Sequence, residues 1–229
     1  MKTVWLRKER TDTLLLFFNG WGMDARICAH LLGESLSEEF THDLLVCYDY
    51  RTLEMEAGFM KEASRYRSIT IVAWSFGVWV AQHTTLPPIT KAIAINGTLY
   101  PINTEKGISP DVFQATLSTW SEENRHRFNR RMCSSGEALA LFSSMSPDRA
   151  VGDQKEELAL LKEHVQDSGT TSASWSYDHA IIGGRDLVFP LKQQCLAWKG
   201  VPQTLISDMP HFPFLHFGNL QEVMACLKT

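Results

Sequence analysis

The feature that most limits the possible folds of this chain is a serine between two small residues, directly after a buried strand. The apolar residues 69–73 predict a strand that is covered on both faces. Ser75 follows, and Ala73 and Gly77 stand two residues to either side, which matches the G-x-S-x-G elbow with alanine at the first position. Such a turn exposes the serine hydroxyl above the sheet and directs the N–H groups of the next helix at an oxygen bound beside it. A serine that merely caps a strand-to-helix turn is the simpler alternative.

Strand and helix patterns alternate over most of the chain. Apolar runs predict strands at residues 13–18, 44–48, 69–73, 92–95, 179–182 and 203–206. Helical patterns separate them, including one that Asp24 can cap and one that Pro87 ends. This alternation predicts the α/β class, with a mostly parallel sheet, flanking helices and right-handed crossovers.

Residues 98–175 interrupt the alternation, because strand-like runs disappear there and the spacing of apolar residues becomes helical. Ser109 is predicted to begin one helix, and Ser134 with Glu137 is predicted to form a capping box before another. We therefore expect residues 98–175 to be a helical lid, inserted into a core made of residues 1–97 and 176–229.

Composition excludes several classes of protein. The 229 residues are 44% apolar and carry a net charge of −4, which argues for one globular domain and against a surface that binds nucleic acid or anionic membrane. The early apolar run at residues 14–18 is too short for a signal peptide or a membrane span, so we expect a cytoplasmic protein. Five scattered cysteines show no zinc-ligand spacing, and no metal site is expected.

Two further residues complete a candidate catalytic triad. A serine nucleophile needs a histidine to take its proton and a carboxylate to orient that histidine. Asp186 lies in a glycine-containing loop after one predicted strand, and His211 lies in a loop after the next. Because functional loops gather at the carboxyl ends of parallel strands, both are expected near Ser75, and their order along the chain is that of serine hydrolases built on such sheets.

Other acids and histidines compete for these roles. Asp178 would lie at the wrong end of its strand, and Asp208 has the sequence context of a turn. His179 falls within a strand, where a buried histidine is ordinary, and His216 stands where the last helix begins. Asp186 and His211 are therefore the preferred candidates.

A glycine-containing loop at residues 19–22 follows the first long strand and is a candidate oxyanion hole. In an oxyanion hole of this kind, one backbone N–H comes from the residue after the nucleophile and another from such a loop. These donors would be Phe76 and Trp21.

The same loop also fits a weak dinucleotide-binding pattern. Gly20-x-Gly22-x-x-Ala25 follows a strand, and Glu38 or Glu39 could then contact a ribose. That alternative leaves the serine elbow unexplained.

Residues 17–24, the elbow at residues 73–77 and the short chain together resemble the compact pimeloyl-[acyl-carrier protein] methyl ester esterases of biotin biosynthesis, within the α/β-hydrolase superfamily. The resemblance implies hydrolysis of the methyl ester of pimeloyl-[acyl-carrier protein], releasing methanol, without a metal or organic cofactor. It assigns the triad and the oxyanion donors to Ser75, Asp186, His211, Trp21 and Phe76.

The predicted lid carries a basic segment, since residues 121–131 contain four arginines and two glutamates. If the segment is helical, Arg127, Arg130 and Arg131 share one face. A solvated basic face is the simple interpretation. The alternative is a docking site for an acidic acyl-carrier protein, whose phosphopantetheine arm would pass beneath the lid to Ser75.

Two other functions remain open at this point. The chain could be a different Ser-His-Asp α/β-hydrolase, such as a small-ester or C–C bond hydrolase or a lyase of menaquinone synthesis. It could also be a non-catalytic binding protein that uses the same fold.

Overall fold

A computed structural model describes residues 1–34, 40–169 and 173–226, and seven strands within these ranges form one sheet. The strands are β1 (Lys2–Arg7), β2 (Thr13–Phe18), β3 (Asp43–Tyr48), β4 (Ser68–Trp74), β5 (Lys91–Ile95), β6 (His179–Gly183) and β7 (Gln203–Ile206). Their order across the sheet is β1-β3-β2-β4-β5-β6-β7. β1 runs antiparallel to β3, and the other neighbouring strands are parallel. The predicted mostly parallel sheet is confirmed.

Nine helices of the described residues lie between or after the strands in chain order. They are α1 (Arg26–Glu34), α2 (Phe59–Ala63), α3 (Phe76–His83), α4 (Pro110–Thr119), α5 (Glu122–Cys133), α6 (Gly136–Ser144), α7 (Val151–Asp167), α8 (Leu191–Ala197) and α9 (Leu220–Ala225). None of the helices in the described ranges is both long and apolar enough to cross a membrane.

Both faces of the sheet are buried around β4, which explains why the sequence of this strand is mostly apolar. Ile71 and Ala73 point into a core that also holds residues of α2 and α3. Val72 and Trp74 point into a second core with residues of α1 and α9. Since alternate side chains of a strand point to opposite faces, a strand covered on both sides has no polar face.

β1 is a strand that the sequence pattern did not predict. It lies at the edge of the sheet and pairs only with β3. Five of its six residues are half-buried and Lys2 is exposed. An edge strand of this kind needs no continuous apolar run, which explains why the pattern missed it.

Four helices, α4 to α7, lie between β5 and β6, within the stretch predicted to be helical. The hydroxyl of Ser109 caps α4, as predicted, by accepting from the Val112 N–H at 3.4 Å. The prediction for Ser134 was wrong by one residue. Ser135 caps α6, whereas Ser134 ends α5 in the left-handed region at φ 58°. Residues 170–172 of the predicted lid lie outside the described residues.

Candidate active site

The turn between β4 and α3 holds Ser75 in a strained conformation, at φ 59° and ψ −126°. Its N–H donates to the carbonyl of Ile95 at 2.9 Å, which ties the turn to the neighbouring strand. A Cβ atom at Gly77 would lie 2.4 Å from the carbonyl oxygens of both Phe18 and Asn19. The small residue expected after the serine is therefore required by the close approach of backbone at the end of β2.

The structure brings Ser75, His211 and Asp186 into one hydrogen-bonded relay. His211 Nε2 lies 2.9 Å from Ser75 Oγ, and His211 Nδ1 lies 2.9 Å from Asp186 Oδ2. All three residues are buried. The other carboxylate oxygen of Asp186 accepts from the backbone N–H groups of Val188 and Phe189 at 2.7 and 2.8 Å. This arrangement fixes Asp186 and leaves its Oδ2 directed at the imidazole.

Residues that sequence reasoning missed hold the relay in place. The Gln194 side chain on α8 donates to Asp186 Oδ2 at 3.1 Å. Trp74 Nε1 and Asn96 Nδ2 both donate to the carbonyl of His211, at 2.9 and 3.1 Å. The Trp74 and Asn96 contacts join residues that are far apart in the chain, and the Gln194 contact depends on the burial of its side-chain amide. No short sequence motif predicts these contacts.

The competing residues lie in other contacts. Asp208 pairs with His216 at 3.4 Å, and its side chain is 67% exposed. The Asp178 carboxylate accepts from a backbone N–H at the start of β5. His179 Nε2 lies 2.8 Å from the Thr204 hydroxyl. Each therefore already has a structural partner away from Ser75.

The loop after β2 and the first residue of α3 hold the two candidate oxyanion donors. The N–H groups of Gly20, Gly22 and Met23 all have acceptors within the protein. Within the described part of the chain, the N–H groups of Trp21 and Phe76 have no protein acceptor. Trp21, Phe76, Ser75 and His211 line the same cavity. Two unoccupied N–H donors beside a serine hydroxyl are what an oxyanion requires.

The dinucleotide alternative fits this geometry poorly. The Glu157 carboxylate accepts from the Gly22 N–H at 3.2 Å, so a negative charge already occupies the position that a pyrophosphate would need. Glu38 and Glu39 lie outside the described residues.

A mostly apolar cavity connects the relay to the helices above it. Side chains of α4, α5 and α7 contribute Val112, Phe113, Thr116, Phe128, Arg131, Met132 and Leu158. The Arg131 guanidinium lies over the Phe128 ring at 5.3 Å, and its buried Nε has no hydrogen-bond partner among the described residues. Burial lowers the pKa of Arg131, while the charge of Asp186 raises it. Arg131 thus brings a positive charge close to the relay.

The three predicted lid arginines do not share one solvated face. Arg127 is 71% exposed and pairs with Glu123 one turn earlier, and Arg130 is also exposed. Arg131 is turned into the cavity instead. The expected basic face is therefore corrected to two outward arginines and one inward arginine. Arg127 and Arg131 lie one turn apart on the same side of α5, but the Arg127 side chain extends outwards to Glu123, whereas the Arg131 side chain lines the cavity.

A surface groove between α4 and α5 continues from this cavity. The groove and the cavity share Val112, Thr116, Phe128 and Arg131, and Arg127 lies at the outer end of the groove. The groove thus adjoins the cavity that holds the serine hydroxyl, and the two share these four wall residues.

Comparison with known proteins identifies similar chains. A model of the family described as pimeloyl-ACP methyl esterase BioG matches residues 1–223. A malonyl-[acyl-carrier protein] O-methyltransferase of Bacteroides fragilis (strain 638R) is 40% identical over 226 residues. That match covers 96% of this chain and 42% of the relative, so the chain spans less than half of the relative's length.

Solved structures share the fold. The crystal structure of BioG from Haemophilus influenzae is 30% identical, with a TM-score of 0.86, and the match covers 97% of this chain and 99% of that one. A lipase-esterase related protein from Clostridium acetobutylicum ATCC 824 is 13% identical, with a TM-score of 0.64 over 99% of this chain and 98% of that one. The second likeness concerns the fold alone. The predicted α/β-hydrolase fold is confirmed.

Proposed function

The chain belongs to the pimeloyl-ACP methyl esterase BioG family, and from this membership we propose that it hydrolyses the methyl ester of pimeloyl-[acyl-carrier protein] in biotin biosynthesis. The observation that carries the proposal is the buried relay of Ser75, His211 and Asp186, which opens into a cavity with two available N–H groups. The methyltransferase name of the Bacteroides relative describes a protein more than twice as long, and we do not transfer that activity to this chain.

The proposed reaction begins with attack by Ser75. His211 Nε2 takes the hydroxyl proton as Oγ attacks the ester carbonyl, and the negative oxygen is held by the N–H groups of Trp21 and Phe76. The imidazolium, stabilised by Asp186, then protonates the leaving methoxide, so that methanol departs and the pimeloyl chain remains bonded to the serine through an ester.

Water completes the cycle. His211 takes a proton from a water molecule, whose oxygen attacks the acyl-enzyme carbonyl in the same oxyanion hole. Return of the proton to Ser75 Oγ releases the free carboxylic acid, still attached to the carrier protein through its thioester. No redox step or cofactor takes part in this scheme.

We further propose that residues 98–175 act as the lid and that the substrate arm enters between α4 and α5. The groove there is lined by the exposed Arg127 and adjoins the cavity at Ser75, and that cavity is mostly apolar, as a seven-carbon chain requires. A flexible phosphopantetheine arm can follow such a groove while the carrier protein stays outside.

The outward arginines make a docking site testable. We expect the double reversal Arg127→Glu and Arg130→Glu to lower kcat/KM for carrier-linked substrate by at least about tenfold, because an acidic carrier would then meet like charges. Hydrolysis of a small p-nitrophenyl ester should change by no more than about twofold, because these side chains lie at the surface. Steady-state kinetics on both substrates measure the two effects.

A matched control reverses two arginines far from the site. Arg65→Glu with Arg67→Glu makes the same change in net charge beside the start of β4, the end opposite to Ser75. This control should leave both activities unchanged. Equal losses on the carrier-linked and small substrates, or no loss on either, would contradict docking at Arg127 and Arg130.

Genetic complementation tests the proposed function in a cell. The gene should restore growth without biotin to an auxotroph that lacks its own pimeloyl-carrier methyl esterase, and the Ser75→Ala version should not. Growth with both versions would argue against Ser75 as the nucleophile. Growth with neither, while the wild-type protein accumulates and cleaves a small p-nitrophenyl ester, would argue against the biotin pathway. The second result would favour a small-ester hydrolase.

A further inference from the structure

The peptide between Trp21 and Gly22 is held from above by α7. Gly22 donates its N–H to Glu157 Oε2 at 3.2 Å, and its carbonyl accepts from Gln154 Nε2 at 2.9 Å. The Trp21 indole N–H donates to the Gln154 carbonyl at 2.7 Å. Gln154 and Glu157 are both buried. Two side chains, less than one helical turn apart, thus hold the two consecutive peptide units that meet at Gly22.

Glu157 is itself fixed by a buried network of charges. Its Oε1 accepts from the Tyr50 N–H at 2.9 Å, and its Oε2 pairs with the Arg149 guanidinium. Arg149 also lies 3.1 Å from Asp49 in the loop after β3. Burial raises the pKa of Glu157, and the positive charge of Arg149 opposes that effect. The Glu157 carboxylate therefore joins the loops after β2 and β3 to the inserted helices.

The held peptide is adjacent to the available donor. Gly20 and Gly22 flank Trp21, and Gly22 sits in the left-handed region at φ 75°. Glycines give this loop several accessible conformations, and only some of these direct the Trp21 N–H towards the cavity. We call the Gln154 and Glu157 side chains, which bond to Gly22, the clamp. The N–H groups of Gly20, Gly22 and Met23 all have acceptors, so the Trp21 N–H is the donor that this loop has available.

We propose that Glu157 and Gln154 are positioning residues for the oxyanion hole, which makes α7 a fixed part of the reaction site. The inference rests on the proposed serine-esterase function. The two side chains touch no reacting atom. They act by holding the peptide units on either side of Gly22, so that the Trp21 N–H meets the oxyanion without reorganisation during the reaction.

Glu157→Gln tests the clamp at its strongest point. Glutamine keeps one acceptor oxygen, but its NH₂ group must face either the Gly22 N–H or the Tyr50 N–H. Two hydrogen-bond donors then face each other, and that hydrogen bond is lost. Complete loss of an oxyanion donor costs roughly 10²–10³ in kcat, so we expect a displaced donor to cost about 10- to 100-fold. KM for a small p-nitrophenyl ester should change by less than about threefold, because the clamp does not touch the substrate.

Gln154→Met provides a milder second variant. It removes the hydrogen bond to the Gly22 carbonyl while retaining side-chain length and the backbone acceptor for Trp21, and it should lower kcat in the same way by about tenfold. Phosphonylation of Ser75 by a fluorophosphonate, which also places an oxygen in the oxyanion hole, should slow in parallel. If Glu157→Gln fails to fold, Gln154→Met decides the question.

The control is Glu156→Gln, one residue away on α7, where the side chain is 57% exposed and pairs with Arg51. It should keep wild-type kcat. Folded variants that retain wild-type kcat and phosphonylation rates would overturn the clamp, as would a loss confined to KM. An inactive wild-type enzyme would instead refute the serine-esterase function, so the two failures can be told apart.

Discussion

Replacement of Ser75 by alanine is expected to lower kcat for any ester substrate by roughly a millionfold, the scale observed when the nucleophile of a Ser-His-Asp triad is removed. Alanine keeps the Cβ atom of serine and lacks only Oγ, so it can occupy the same tight turn, in which Gly77 approaches the backbone of residues 18 and 19. The fold should therefore survive while the attacking oxygen is lost. Hydrolysis of a p-nitrophenyl ester by the purified variant, with circular dichroism as a check on folding, measures the effect.

A serine on α4 serves as the matched control. Ser118 is exposed and its hydroxyl donates to backbone within its own helix, so Ser118→Ala should retain activity to within about twofold. A fluorophosphonate should label the wild-type and Ser118→Ala proteins but not Ser75→Ala. Substantial turnover or labelling of folded Ser75→Ala would show that another group is the nucleophile.

The second large effect is expected for Asp186→Asn, with kcat lowered by roughly 10⁴-fold. The carboxylate accepts from two backbone N–H groups through Oδ1 and from His211 and Gln194 through Oδ2. Asparagine can accept from the two backbone N–H groups only if its side-chain oxygen takes the place of Oδ1. Its NH₂ then faces His211 Nδ1, which favours the tautomer with hydrogen on Nε2, and that nitrogen can no longer accept the proton of Ser75.

Asp208→Asn is the comparison variant, because Asp208 is the acid nearest to His211 in sequence and pairs with His216 at the surface. Its kcat should stay within about twofold of wild type. KM should be little changed in either variant, since neither carboxylate lines the cavity. If Asp186→Asn keeps a tenth or more of wild-type kcat, or if Asp208→Asn is the more damaging change, the assignment of Asp186 is wrong.

The sequence predicted the features that depend on local pattern. Strands buried on both faces are continuously apolar, so β2, β3, β4 and β5 were recognisable. The elbow at Ser75 was recognisable because its close contacts demand small residues at fixed spacing. Asp186 and His211 followed from chain order and from their place after strands, since parallel strands bring their carboxyl ends together.

Features that depend on packing were not predictable in this way. Edge strand β1 lacks an apolar run because half of its surroundings are solvent. Helical periodicity grouped Arg131 with two exposed arginines, although its side chain lines the cavity. Glu157 and Gln194 stand in helices where acids and amides are usually solvated. Their roles arise from contacts with loops that only the tertiary fold brings near.

The same distinction applies to the inserted helices. The loss of strand-like runs in the sequence predicted that these helices exist. The sequence did not predict how they are attached to the core of the protein. Arg149 and Glu157 form a buried ion pair that also contacts the loops after β2 and β3. A buried charge without its partner is strongly unfavourable, so this part of the insertion is anchored to the core.

The most direct test of the proposed function is the intact mass of a carrier protein loaded with the pimeloyl methyl ester, measured before and after incubation with the purified enzyme. The account predicts loss of the methyl group with one methanol released per carrier, an intact thioester, and no change with Ser75→Ala. A carrier that keeps its methyl ester, or that loses the whole acyl chain by thioester cleavage, while the same preparation hydrolyses a small p-nitrophenyl ester, would contradict it.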